Sequence, residues 1–282
     1  MASTFKELIY GIPGLTHWYP LTDQYGVDDA GPKDLQGINH GATFGANGAT
    51  FNGKSYIELP DHDDFSAATT GSLTIVAMLT ISDWKGAGAS EYIHWMGKGK
   101  SGAHEWTFRH YVDGGSGEAS QRQGRVSFYH FNPAGGLGAG SYFQDSESTT
   151  EFVVTGVVNR TNIGMYKNGV ARDTDALSGY SIVPKNTGTA VCLGSRGDST
   201  GFLVGRLRNV CFFNRQLSNA EIKTIFDNRD LPVGTPQSPA TPPPVTAPKP
   251  NPGAPYITTD TSDVALKHNA LVNKLADKGL LS

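Results

Sequence analysis

Residues 163–170 read IGMYKNGV, and the Asn168-Gly169 pair in that string narrows the possible folds more than any other feature. Both central positions of a two-residue type I′ turn take positive φ, which Asn and Gly tolerate, so the pair predicts a hairpin between two flanking strands. Just upstream, EFVVTGVV is a β-rich run and NRTN a second turn-prone cluster, so this region reads as strand, turn, strand, turn, strand. Other runs alternate in the same way. SLTIVAMLTIS sets Leu73, Ile75, Ala77, Leu79 and Ile81 on one face and Thr74, Val76, Met78 and Thr80 on the other, which predicts a strand covered on both sides. GRVSFYHF sets Val126, Phe128 and His130 against Ser127, Tyr129 and Phe131, and RLRNVCFF sets Leu207, Asn209, Cys211 and Phe213 against Arg208, Val210 and Phe212. With 35 glycines and only 17% charged residues, the composition suits tight turns between strands rather than a helical bundle, and the expected class is an all-β, two-sheet antiparallel sandwich.

The net charge of −3 supplies no basic footprint for nucleic acid, and no apolar run reaches the length of a membrane span. The opening MASTFKELIYGIPG lacks the apolar stretch and cleavage site of a signal peptide. A reducing cytoplasm is therefore the expected place of synthesis, with Cys192 and Cys211 as free, half-buried thiols.

Three segments follow from the composition along the chain. Residues 1–231 form the β block, closed by NRQLSNAEIKTIFDNRDLP, where Ser218 and Glu221 make a capping box and predict one short helix over 219–228. Residues 232–255, PVGTPQSPATPPPVTAPKPNPGAP, cannot bury apolar area and favour polyproline II; at ~3.1 Å per residue they form a semi-rigid spacer of roughly 70 Å. Residues 256–282 predict a C-terminal helix, with Ser262 as its cap, Gly279 as its stop, and Val264, His268, Leu271 and Leu275 recurring at 4, 3 and 4 as the seam stripe of a coiled coil. A helix of about sixteen residues is marginal alone in water, so it is expected to form a homo-oligomer, a short trimeric coiled coil, or to anchor the chain on a larger assembly.

In order along residues 15–228, the strings WYPLTD, DLQGINHGATFG, ATFNGKSYIELPD, GSLTIVAMLTIS, FVVTGVVNRTNIGMYKNGV and FLVGRLRNVCFFNRQLSNAEI resemble the laminin-G-like, concanavalin A-like jelly-roll superfamily. Phe152 is a departure, standing where that family often has Trp. The terminal HNALVNKLADKGLL is similar to the ends of bacteriophage fibre and tail proteins, which implies a virion protein assembled in the host cytoplasm.

The superfamily includes glycoside hydrolases, which usually supply two carboxylates from one strand as E-x-D-x-x-E. No such string occurs here, and the expectation is a protein that is not an enzyme. Sugar binding calls for aromatic platforms and planar polar groups, and EYIHWMGKG, HEWTFRHY and SFYHF offer Trp95, Trp106, Arg109, Tyr111, Tyr129 and His130. Lectin-like jelly rolls often carry Ca²⁺, and loop oxygens for it are offered by Asp34 and Asn39 in DLQGINHG and by Asp61 and Asp63, with Asp64, in PDHDD. The functional expectation is a virion surface protein that displays a lectin-like jelly roll to a host cell-surface glycan, joined to other virion proteins through its C-terminal helix. The alternatives are a structural decoration or fibre protein without a ligand and a polysaccharide-acting enzyme.

Overall fold

The computed structural model describes residues 2–22, 26–85, 91–100, 102–131, 138–144, 149–180, 182–197 and 201–235. Val264, His268, Leu271 and Leu275, with the rest of the predicted terminal helix and most of the spacer, lie outside the described residues. In chain order the strands are β1 (Leu15–Tyr19), β2 (Ile38–His40), β3 (Thr43–Gly45), β4 (Gly48–Asn52), β5 (Tyr56–Leu59), β6 (Ser72–Ile81), β7 (Tyr92–Lys98) and β8 (Trp106–Tyr111). They continue as β9 (Arg125–Phe131), β10 (Gly138–Gln144), β11 (Phe152–Asn159), β12 (Asn162–Lys167), β13 (Val170–Ala176), β14 (Val191–Leu193) and β15 (Val204–Phe213). Among the described residues these make two antiparallel sheets, one ordered β13-β12-β11-β6-β15-β4-β3 with β1 also on β15, the other β10-β9-β8-β7-β14-β5-β2. Three α-helices, α1 (Phe5–Tyr10), α2 (Ala67–Thr70) and α3 (Asn219–Asp227), complete the described body.

The Asn168-Gly169 turn joins β12 to β13 with φ of 51° and 78°, as the hairpin requires. Asn168 also accepts a hydrogen bond from the Val153 backbone through Oδ1 at 2.9 Å, tying the turn to β11. On β6, Leu73, Ile75, Ala77, Leu79 and Ile81 enter the core between the sheets. Val76 and Met78 point the other way, into a second apolar layer with Phe5 and Ile9 of α1 and Ile222 and Ile225 of α3. The two-sided burial expected of this strand thus has a structural cause: the helices seal the outer face of its sheet. Gly156 of β11 lies on the inner side. A Cβ there would stand 2.5 Å from the Phe108 ring, so its bare backbone is what lets the stacked Phe108–Phe128 pair (centroids 4.3 Å apart) press against the opposite sheet.

α3 carries the predicted cap: the Ser218 side chain accepts from the Glu221 backbone, and the Glu221 carboxylate accepts from the Ser218 backbone. The Arg215 guanidinium, with Ser218 behind it, holds the Glu221 carboxyl down at about 2. α1 and the four-residue α2 are additions to the one short helix expected within the β block, and α1 is capped by Thr4, whose side chain accepts from the Glu7 backbone.

The face assignment of RLRNVCFF needs correction. Strict alternation groups Leu207 with Cys211 and Phe213, but Leu207, Val210 and Phe212 share the inter-sheet core while Cys211 and Phe213 lie beneath the helices. The pairing of β15 with β6 slips between Arg208 and Cys211, where Asn209 has φ of 49°. This β-bulge inserts one residue and exchanges the faces beyond it. Asn209 is held there by the Trp18 indole, which donates to its Oδ1 at 3.2 Å. Cys192 and Cys211 are free, as expected, and buried rather than half-buried; burial pushes the Cys192 thiol up to about 12.

Candidate functional site

The pleat decides which of the candidate sugar-binding residues meet. On β8, Trp106, Phe108 and His110 alternate with Thr107, Arg109 and Tyr111. Trp106 faces the inter-sheet core, and its indole donates to the Phe65 carbonyl at 2.8 Å. Trp95 of β7 belongs to the same core, 4.8 Å from the Phe108 ring. His130 of β9 pairs with Trp106 in register and is fully buried on that inner side, where desolvation holds its imidazole down at about 4. These three are core residues and do not offer an open platform, because large aromatic area on a strand's inner parity goes to the packing of the two sheets.

Arg109, Tyr111 and Tyr129 do converge, on the outer face of the sheet that the helices leave uncovered. Tyr92, Tyr142 and Arg122 join them. The Arg109 guanidinium carbon sits 4.2 Å from the Tyr92 ring centroid and 3.9 Å from that of Tyr129. Its Nη2 donates to the Tyr111 hydroxyl at 2.7 Å. Arg122 Nη1, from the loop before β9, donates to the same hydroxyl at 3.0 Å and to the Tyr142 hydroxyl at 3.2 Å. Arg109 is 6% exposed, its Nε finds no hydrogen-bond partner, and among the described residues no carboxylate pairs with it. Tyr92, Arg122 and Tyr142 keep partial exposure and form the outer rim. Burial, then the neighbouring Tyr111, pushes the Tyr142 hydroxyl above its ordinary value, so Tyr142 stays a neutral donor or acceptor at neutral pH. Two guanidiniums set among four phenol rings favour a planar anion with an apolar flank.

The residues expected to bind Ca²⁺ have other partners. Asp61 pairs through Oδ1 with Lys98 Nζ at 2.9 Å, and Asp63 Oδ1 accepts from the Asn186 amide at 2.8 Å. Asn39 spends both amide atoms on the Ala42 backbone at 2.9 Å, a turn contact, and Asp34 is exposed on a short 3-10 turn. The four do not gather. Among the described residues, the group of three metal-capable side chains that does come together is His17, His62 and Asp64. Lys98, for its part, is fully buried and donates to Glu105 at 3.0 Å and to Asn186 at 3.1 Å as well as to Asp61. Burial raises the Glu105 carboxyl, with Lys98 acting in the opposite direction. Glu105 is thereby a structural counter-ion. A separate open cleft of about 260 Å³ contains Glu58 as its one carboxylate among the described lining residues, and another of about 380 Å³ is lined by Glu151 and Asp230 beside Arg206 and Arg208.

Two antiparallel sheets, one sealed by helices and one bearing a polar aromatic outer face, define a jelly-roll sandwich. Residues 51–223 match the model of the concanavalin A-like lectin/glucanases superfamily, and the chain belongs to that superfamily. No curated protein matches the chain. Among solved structures it is similar to the receptor-binding domain of botulinum neurotoxin C/D mosaic serotype, at a TM-score of 0.58 and 13% identity over 77% of this chain and 51% of that one. It is similar also to the botulinum neurotoxin serotype D ligand-binding domain in complex with N-acetylneuraminic acid, at a TM-score of 0.56 and 13% identity over 77% and 51%. The Trypanosoma rangeli sialidase matches at a TM-score of 0.59 and 16% identity over 79% of this chain and 34% of that one. The chain spans about half the length of the toxin domains, and at these identities the likeness is one of fold.

Proposed function

We propose that the chain is a non-enzymatic, lectin-like module that grips an acidic saccharide on the face built by Arg109, Arg122 and their tyrosines. The observation that carries this reading is Arg109, a nearly buried guanidinium clasped between two rings with no carboxylate partner among the described residues. An isolated buried charge is costly, and a carboxylated or sulfated sugar supplies the missing counter-charge while its C–H face stacks on tyrosine. Membership of a superfamily that includes lectins supports the reading, as does the N-acetylneuraminic acid complex of the toxin domain, as precedent only. In this proposal the module is displayed on a virion surface, with the proline-rich segment after Thr235 as spacer, residues 232–235 being bonded to the body, and the terminal helix as oligomeriser or anchor to other virion proteins. Weak single sites then gain from avidity, because tethered copies rebind at high effective concentration.

An array of neutral and acidic glycans tests the site. Saturable binding is expected on carboxylated or sulfated sugars, with a loss of at least roughly tenfold in Arg122→Ala, the cost of one charge-assisted hydrogen bond. Equal binding to neutral sugars, or an undiminished Arg122→Ala, rules the site out. Truncation after Thr235 tests the assembly: light scattering should report a folded monomer from an oligomeric parent, with sharply weaker binding to glycan-coated surfaces. A monomeric parent, or a truncated chain that binds as tightly, removes the avidity argument.

A further inference from the structure

His17 lies on β1 with its side chain fully buried, and its two ring nitrogens have different surroundings. Nδ1 stands 2.6 Å from Asp28 Oδ2. The other Asp28 oxygen accepts from the backbones of Trp18 at 3.0 Å and Gly31 at 2.9 Å, so the carboxylate is itself fixed. Gly31 is part of the same construction, since a Cβ there would fall 2.2 Å from Asp28 Oδ2 and 2.4 Å from His17 Nδ1. An Nδ1–H donated to Asp28 leaves Nε2 with a free lone pair, and Nε2 is buried without a hydrogen-bond partner. It points to Asp64, whose Oδ2 is 3.4 Å away, and the same oxygen lies 3.5 Å from His62 Nδ1. Ligand atoms of all three residues lie within 4.8 Å of one another.

We propose that His17, His62 and Asp64 form a binding site for a divalent transition metal of the Zn²⁺ type, with Asp28 orienting His17 from behind. Donors held tetrahedrally at ~2.0–2.1 Å from an ion stand about 3.4 Å apart, which is the spacing of the two Asp64 contacts. A carboxylate that fixes the remote nitrogen of a ligating histidine is the usual outer partner of such ions. Two imidazoles and one carboxylate favour Zn²⁺, Ni²⁺ or Co²⁺ over Ca²⁺, which takes oxygen donors. Entry is open, because the His62 and Asp64 side chains are 37% and 32% exposed, and three protein ligands leave a fourth position for water.

The test uses the full chain without a histidine tag, stripped by chelator and titrated calorimetrically with Zn²⁺, and separately with Co²⁺ read by visible absorption. One Zn²⁺ per chain is expected, with the Co²⁺ spectrum of a tetrahedral site and no competition from Ca²⁺. His62→Ala and Asp64→Asn alter partly exposed side chains and should fold normally by circular dichroism while weakening Zn²⁺ at least tenfold. Absence of stoichiometric uptake overturns the proposal. So does uptake that both variants retain at parental affinity, which would put the ion on other residues, or displacement by Ca²⁺ at comparable concentration.

Discussion

Lys98→Met should lower the melting temperature by about 10 °C, from the loss of roughly 3–5 kcal/mol that follows removal of one partner from a buried ion pair. The lysine is wholly enclosed with Glu105, Asp61 and Asn186 around its ammonium, and the substitution strands the Glu105 carboxylate without a counter-charge. The double variant Lys98→Met with Glu105→Leu removes both buried charges and should recover most of the loss, since apolar replacement of a buried pair is often neutral or better. The single variant's deficit should shrink in acid, because Glu105, already raised by burial, is then protonated and needs no partner. Thermal and denaturant unfolding of the two variants decide the matter. A single variant as stable as the parent, or a double variant no better than the single, would show that the pair contributes little.

The second large effect is on acid stability. Desolvation holds His110 down at about 3 and His130 at about 4, both fully buried and neutral in the folded protein. In the unfolded chain each titrates near 6.5, so below that pH the unfolded state binds more protons and stability falls as pH falls. At about 1.4 kcal/mol per pH unit per group, the two together remove on the order of 5 kcal/mol between pH 6.5 and 4.5. Glu105 works against this at the acid end, since its raised carboxyl takes up a proton earlier in the folded state than in the unfolded one. Burial holds His94 well below its ordinary value too, so His110→Phe and His130→Phe should each flatten the slope by about a third. Stability curves from urea melts at half-unit pH steps provide the check, and a parental curve that stays level from pH 7 to 4.5 would contradict it.

The fold was legible wherever local chemistry and burial agree. Asn168-Gly169 has one low-cost backbone solution, Ser218 and Glu221 cap each other within a single turn, and the two-sided pattern of 73–81 needs cover on both faces. The bulge at Asn209 escaped an alternation argument because one residue in left-handed conformation reverses parity without leaving a mark in the hydrophobic pattern. The six-residue α1 offered only Thr4 and Glu7 at capping distance, too little without the apolar layer it covers. The candidate site was half legible. Strand alternation already separates Trp106 from Arg109, but it does not say which side is inward, and the widest aromatics drew the choice to Trp95 and Trp106, which belong to the core. Tyr92 reaches Arg109 from the neighbouring strand, Arg122 and Tyr142 join the group from a loop and from β10 through Tyr111 and Tyr129, and His17 meets His62 between distant segments, so neither grouping has a signature of fixed spacing.

The Phe5 and Lys6 backbones donate to the carbonyls of Pro232 and Val233 at 2.8 and 3.1 Å, and Leu231 and Val233 pack in the apolar layer beneath the helices. The body is therefore entered and left at one corner, on the side opposite the arginine–tyrosine face. A load applied through residue 235 bears first on the clasp between the two ends and runs along the helical side. The sheet that carries the arginine–tyrosine face lies off that path.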